Sequence, residues 1–198
     1  MSCKALSDLI INRLSTRTDI DMDYQEIYAY ALEKYIAGLI NTIIFATVAF
    51  LFHIPLETVV FFAFYAPLRK YAGGIHARTR VQCTILSLII LMLLINAAKL
   101  ICRTENWLLV AVITLLLAMI LVFLFAPVDS EKRRLSEASK RHYRSLSRRI
   151  ILSEGFLILL GMGVLPSMKQ YIMTAVMALL VSGIFIVPYK KVPLSQSE

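Results

Sequence analysis

The residues with the greatest chemical reach in this chain lie in one short stretch, Arg69-Lys70-Tyr71-Ala72-Gly73-Gly74-Ile75-His76-Ala77, followed by Cys83. Gly73-Gly74 is a turn signal between two apolar segments and frees the backbone there. A neutral thiol is a weak nucleophile, and a neighbouring imidazole can take its proton and hold it as thiolate. Arg69, Lys70, Arg78 and Arg80 favour the same charged form. The chemistry such a set can perform is attack of a cysteine sulfur on an acyl carbon. On one continuous helix, seven residues turn roughly 700°, so His76 and Cys83 would share a face but stand about 10.5 Å apart along the axis. That is beyond hydrogen-bond reach, so a working pair needs His76 to fold back from a non-helical loop. The alternative is bland: a lone cysteine in a span is a small apolar side chain, and a lone histidine at the boundary is solvated.

Other chemistries lack their signatures. HExxH, GxSxG, a P-loop and paired acidic motifs for lipid transfer are all absent from the sequence. Three cysteines with no CxxC spacing argue against a disulfide framework and a thiolate zinc site, so neither metal nor cofactor is expected. His53, His142, Cys3 and Cys102 read as incidental. Asn96 and Glu154 lie in or near apolar spans, where polar groups are functional suspects.

The elements that must position these residues follow from composition. Of 198 residues, 59% are hydrophobic and 17% charged, with a net charge of +8. A soluble domain carries about 45–50% apolar and about 25% charged residues. The excess is too large for one core of this size, and a disordered chain is excluded as well. The class expected is all-α: a polytopic integral membrane protein of about six transmembrane helices plus amphipathic N-terminal interfacial helices.

A spanning helix needs about 20 apolar residues. Ile36–Ile54, Val81–Ile101, Trp107–Ala126, Ile150–Leu165 and Tyr171–Pro188 meet or approach that length; Leu56–Pro67 is apolar but short, and its length alone suggests a re-entrant or broken segment. Charge decides the parity. If Leu56–Pro67 crosses, 18 of the 21 Lys and Arg residues fall on one side and 3 on the other; if it does not, the bias is lost. Positive residues stay cytoplasmic during insertion, so six crossings with both termini cytoplasmic are expected. The same sorting accounts for the basic pI without nucleic acid as a partner.

One domain, 1–198, is expected. Residues 1–35 form an amphipathic interfacial region, with Leu6, Leu9, Ile10 and Leu14, then Ile20, Tyr24, Ile27, Tyr28, Ala31 and Tyr35, at helical spacing. No signal peptide is expected, because Asp8, Arg13 and Arg17 interrupt the apolar positions. Residues 36–188 form the transmembrane bundle, with cytoplasmic loops at 67–80 and 127–149. A cytoplasmic tail covers 189–198. The basic block Glu131–Arg149 reads as a surface helix drawn to anionic headgroups of the bilayer, at roughly 1 kcal/mol per close Lys or Arg.

Arg69, Gly73-Gly74-x-His76-Ala77 and Cys83, followed by Ala126-Pro127-Val128 and a basic block with Lys132, resemble AgrB, the membrane peptidase of bacterial accessory gene regulator quorum sensing. The resemblance covers nearly the whole chain. It implies a cysteine endopeptidase of the bacterial cell membrane with His76 and Cys83 as catalytic pair and Arg69, Gly73, Gly74 and Lys132 in support. The family's lysine-rich loop is thinner here, since Arg133 and Arg134 follow Lys132. The resemblance further implies an AgrD-like propeptide as substrate, loss of its C-terminal tail through a thioester on Cys83, closure of a thiolactone or lactone ring, no cofactor, and a homodimer. Asp129 and Glu131 are available to orient His76 if the two cytoplasmic loops meet. Two readings from other classes are a small peptide transporter or export channel, and a non-catalytic membrane scaffold; spans of nearly pure Leu, Ile, Val and Ala argue against a wet pathway.

Overall fold

The computed structural model describes residues 9–10, 22–73, 79–128 and 137–187. Among them the structure is helical, with no strand: α1 Met22–Leu51, α2 Pro55–Ala72, α3 Arg80–Ile101, α4 Trp107–Phe125, α5 Glu137–Val164, a single 3-10 turn Pro166–Met168, and α6 Lys169–Ile186. Four stretches are long and apolar enough to cross a membrane: Ile27–Leu51, Val81–Ile101, Trp107–Phe125 and Pro166–Ile186. The chain divides into two compact units, Met1–Pro55 and Leu56–Glu198.

In the first unit, α1 runs unbroken through residue 35, where an interfacial piece and a span were expected to meet. No proline interrupts it, and Gly38 faces open space. Its 30 residues extend about 45 Å at about 1.5 Å each, longer than the roughly 30 Å of a hydrocarbon core. Thr42 and Thr47 donate their hydroxyls to the carbonyls of Gly38 and Ile43. That internal bonding lets polar side chains sit in a lipid-facing helix.

The second unit is built around α6. Met173, Ala175, Val176, Ala178, Leu179 and Ile186 are buried, and α6 packs on α3, α4 and α5, most extensively on α4. The apposed stripe of α4 is Ala111, Leu115, Ala118 and Val122, all buried and recurring at helical spacing. A Cβ at Gly183 of α6 would come within 3.2 Å of Leu121 Cβ and 3.4 Å of the Ala118 carbonyl. Small residues allow this approach, because between lipid-solvated helices close packing replaces the hydrophobic drive. The buried hydroxyls of Thr174 and Ser182 bond to the carbonyls of Gln170 and Ala178 one turn earlier. The opposite faces of the outer helices are apolar and bare: Leu93, Leu124 and Phe156 are among the exposed residues, as suits contact with lipid.

Two elements differ from the sequence expectation in extent. α2 is one 18-residue helix that continues through Pro67 to Ala72, into the stretch expected to begin a cytoplasmic loop. α5 joins the basic block and the following apolar stretch in one 28-residue helix; the chain from Glu137 to Val164 holds no proline.

Contacts align these helices by their ends. At one end, Gln170 Nε2 donates to Glu57 Oε1 at 2.6 Å, Cys102 Sγ lies 3.4 Å from the Lys169 carbonyl, and Gly161 meets Ile172. At the other end, Arg69 stacks over Phe185, 5.3 Å from the ring centroid, and the rings of Tyr71 and Tyr143 lie 6.1 Å apart. So α2 runs beside α6 in the same direction, and α5 runs against it.

Candidate active site

Cys83 stands in the first turn of α3, half-buried and free. Thr79 builds that turn: its extended backbone (φ −120°, ψ 154°) forms the N-cap and its hydroxyl accepts from the Gln82 amide, which satisfies one of the orphan donors at a helix start. The Cys83 amide donates to the Thr79 carbonyl at 3.1 Å. The helix begins at Arg80, downstream of His76, so the separation of about 10.5 Å along a continuous helix does not apply. Gly74, His76, Asp129, Glu131 and Lys132 lie outside the described residues.

Arg69 lies in the last turn of α2. Its guanidinium Nη1 donates to the Gly73 carbonyl at 2.9 Å, and its plane covers Phe185 of α6. A charge-assisted hydrogen bond and a cation–π contact are thus among the interactions that hold it. The result ties the exit of α2 to the end of α6.

Gly73 is required twice over. Its φ is +78°, a left-handed conformation that costs a side-chain-bearing residue about 1–2 kcal/mol. A Cβ there would also lie 2.7 Å from the Val128 carbonyl oxygen. The close approach exists because the Val128 amide donates to the Ala72 carbonyl at 3.0 Å. Gly73 of one motif element and Val128 of the other, separated in sequence, thus meet backbone to backbone.

Tyr65 joins this end of the unit, and sequence reading did not single it out. Its ring stacks on the buried Phe61, with centroids 5.4 Å apart and planes 20° apart, and it interacts electrostatically with both Arg69 and Cys83. The available signal was spacing: Tyr65 precedes Arg69 by one helical turn on the same face.

The remaining suspects separate. Asn96 Nδ2 donates to the Met92 carbonyl at 2.8 Å within its own helix. Glu154 is buried with Oε2 unpartnered among the described residues, and so is the Ser147 hydroxyl. Cys102 lies with Lys169 and Gln170, at the end of the unit opposite Arg69 and Gly73. Burial pushes its thiol above the ordinary range, with the Lys169 ammonium acting in the other direction. His53 sits in the turn after α1 with φ 55°, and His142 lies edge-on to Tyr143. Among the described residues no group of three or more His, Cys, Asp or Glu could hold a metal ion.

The family model described as accessory gene regulator B matches residues 7–187. An AgrB-like protein of Clostridium perfringens strain SM101 is 27% identical over 184 residues, covering 90% of this chain and 86% of the relative. A second AgrB-like protein, from strain 13 of that species, is 29% identical over 153 residues, covering 74% and 71%. An AgrB-like protein of Listeria monocytogenes serotype 4a is 28% identical over 171 residues, covering 85% and 79%. No solved structure matches the chain.

Proposed function

This chain belongs to the accessory gene regulator B family, and we propose that it is a membrane cysteine endopeptidase and peptide cyclase, with Cys83 as nucleophile and His76 as its base. The substrate is an AgrD-like propeptide held at the inner membrane surface. The Cys83 sulfur bonds to a backbone carbonyl carbon as His76 takes the thiol proton. The scissile C–N bond then breaks, and His76 returns the proton to the departing amine. The C-terminal tail leaves, and the rest of the peptide is a thioester on Cys83. An internal Cys or Ser of the peptide attacks that thioester, expels the Cys83 thiolate and closes a thiolactone or lactone. Because the thioester retains the acyl activation, ring closure needs no nucleotide, and intramolecular attack at high effective concentration outruns water.

The observation that carries this reading is the junction at the inner end of the second unit. Gly73 and Val128 lock together there, Arg69 braces the exit of α2, and Cys83 stands in the first turn of α3, behind the Thr79 cap. A helix start also concentrates unpaired N–H groups and positive potential, which suit a developing oxyanion.

Six crossings with both termini cytoplasmic complete the proposal. In support, α2 runs beside the membrane-capable α6 from Glu57 at one end to Arg69 at the other, and α5 runs the same depth in reverse. The basic face of α5, with Arg141, Arg144 and Arg149, then meets anionic headgroups. A homodimer is part of the same reading.

The test is intact-mass spectrometry of a candidate propeptide incubated with the full-length protein in liposomes. A covalent adduct on Cys83 and a released tail are expected, and both vanish in Cys83→Ala and His76→Ala while the variants keep the native melting temperature. Tail release by Cys83→Ala would overturn the assignment. Uptake of uncleaved peptide by that variant would favour a transporter instead.

A further inference from the structure

Asn96 is a polar side chain in an apolar place. It lies on α3 inside the membrane-capable stretch Val81–Ile101, five residues from its end. At about 1.5 Å per residue that is about 7.5 Å, too deep for so short a side chain to reach the headgroups. It is exposed on its helix. Thr42, Thr47, Thr174 and Ser182 solve the same problem alone: each hydroxyl has one hydrogen and gives it to a carbonyl one turn earlier. An amide has two hydrogens and an oxygen. Asn96 Nδ2 gives one hydrogen to the Met92 carbonyl at 2.8 Å. The other hydrogen and Oδ1 meet no partner among the described residues. Facing lipid tails, such groups are costly unless a second protein surface supplies their bonds.

The residues around Asn96 form a seam. Gln82, Leu86, Ile89, Leu93, Asn96 and Leu100 follow one another at alternating steps of four and three, and all six are exposed. That is the 3.5-residue repeat of a helix paired with another helix. The buried stripe of α3, Leu91, Ile95, Ala98 and Cys102, lies on the opposite face, and α3 already packs on α6. We infer that the exposed seam pairs with the α3 of a second copy of this chain, Asn96 hydrogen-bonding to its own counterpart. Every copy inserts with the same loops inside, so two copies associate side by side, with parallel helices, about an axis along the membrane normal. In a parallel pair each seam position meets its counterpart. An amide is both donor and acceptor, so it complements itself: each Oδ1 accepts the free N–H of the other. A charged side chain at this position would repel its counterpart. Gln82, at the end of the seam beside Cys83, is a second self-complementary amide. The inference names the surface of the homodimer in the proposed function; it rests on that membrane reading and not on the peptidase chemistry.

The experiment measures energy transfer between donor- and acceptor-labelled full-length chains in liposomes as lipid is added. Asn96→Leu keeps a side chain of similar size and removes the amide. It should raise the protein-to-lipid ratio needed for half-association about tenfold, which corresponds to about 1.4 kcal/mol. Asn96→Gln, which keeps an amide, should recover part of the loss. Leu93→Ala should weaken association through the neighbouring seam position and serves if Asn96→Leu does not fold. Leu116→Ala, on the exposed side of α4, should leave the midpoint unmoved. Circular dichroism checks that each variant keeps its helical content. An unchanged midpoint in folded Asn96→Leu overturns the proposal. So does a loss for Leu116→Ala as large as for Leu93→Ala, because the seam is then not the surface. A native chain that stays monomeric at every dilution overturns it too and leaves the amide to a different membrane protein. Cleavage of propeptide by such a monomer keeps the peptidase reading, whereas a seam-dependent dimer that cleaves nothing keeps the pairing and removes only that reading.

Discussion

The sharpest structural requirement in the second unit is at Gly73, and Gly73→Ala measures it. Two costs add. The residue sits at φ +78°, where a Cβ costs about 1–2 kcal/mol. The new carbon would also lie 2.7 Å from the Val128 oxygen, well inside ordinary van der Waals contact. Relieving that overlap means moving Val128, whose amide is bonded to the Ala72 carbonyl at 3.0 Å. Losing that bond removes a further 0.5–1.5 kcal/mol or so. Together the junction weakens by about 3 kcal/mol, roughly a hundredfold in its open population. Hydrogen–deuterium exchange reads this directly: the Val128 amide should exchange roughly a hundredfold faster, while the amides at the centres of α4 and α6 keep their protection. Gly73→Asn separates the two terms, since asparagine tolerates positive φ far better than other residues but still carries the Cβ; it should recover part of the loss only. Gly38→Ala is the control, because Gly38 lies within α1 and faces open space, and it should be neutral or stabilising by up to about 1 kcal/mol. Unchanged Val128 exchange in Gly73→Ala would refute the reasoning, because the contact would then not be closed in the working protein.

Cys102 should titrate late. Its thiol is raised by burial, so the stability it contributes is complete below the ordinary thiol value near 8.5 and is lost as pH rises through the higher folded value. Melting temperature should therefore hold to about pH 8 and then decline, Cys102→Ala should flatten that decline, and alkylation of Cys102 should trail that of Cys83 at each pH. At the same end of the unit, Gln170→Leu strands the buried Glu57 carboxylate that its amide now serves. A loss of roughly 1–3 kcal/mol is expected, seen as a melting temperature lower by about 2–4 °C per kcal/mol. Leucine at both positions should recover most of it, since neither partner is then left unpaired. A double variant as unstable as the single one would show that the pair is not what holds these ends together.

Much of this protein is written in one dimension. The bilayer demands about 20 apolar residues per crossing, and insertion sorts cations by loop, so the membrane class and the helical content could be read without any contact. The Gly-Gly-x-His-Ala and Cys83 pattern on which the proposed site rests was visible there too, because residue types and their spacing are local features. Tertiary structure decided what such patterns cannot carry. The apolar stretch ending at Pro67 looked short, yet the helix continues through that proline to Ala72, lying beside α6 with its ends tied at Gln170 and Phe185. Gly73 looked like half of a flexible pair; only the arrival of Val128 from the end of α4 makes it irreplaceable. Arg69 looked like a charge near a thiol, but its partners include the Gly73 carbonyl and the Phe185 ring. Tyr65 carried no sequence signal beyond a helical turn's spacing from Arg69, and its stack on the buried Phe61 exists only in the folded unit. The division has one physical cause: hydropathy, charge and turn chemistry are properties of a segment and its solvent, whereas close approach and stacking exist only once distant segments share a space.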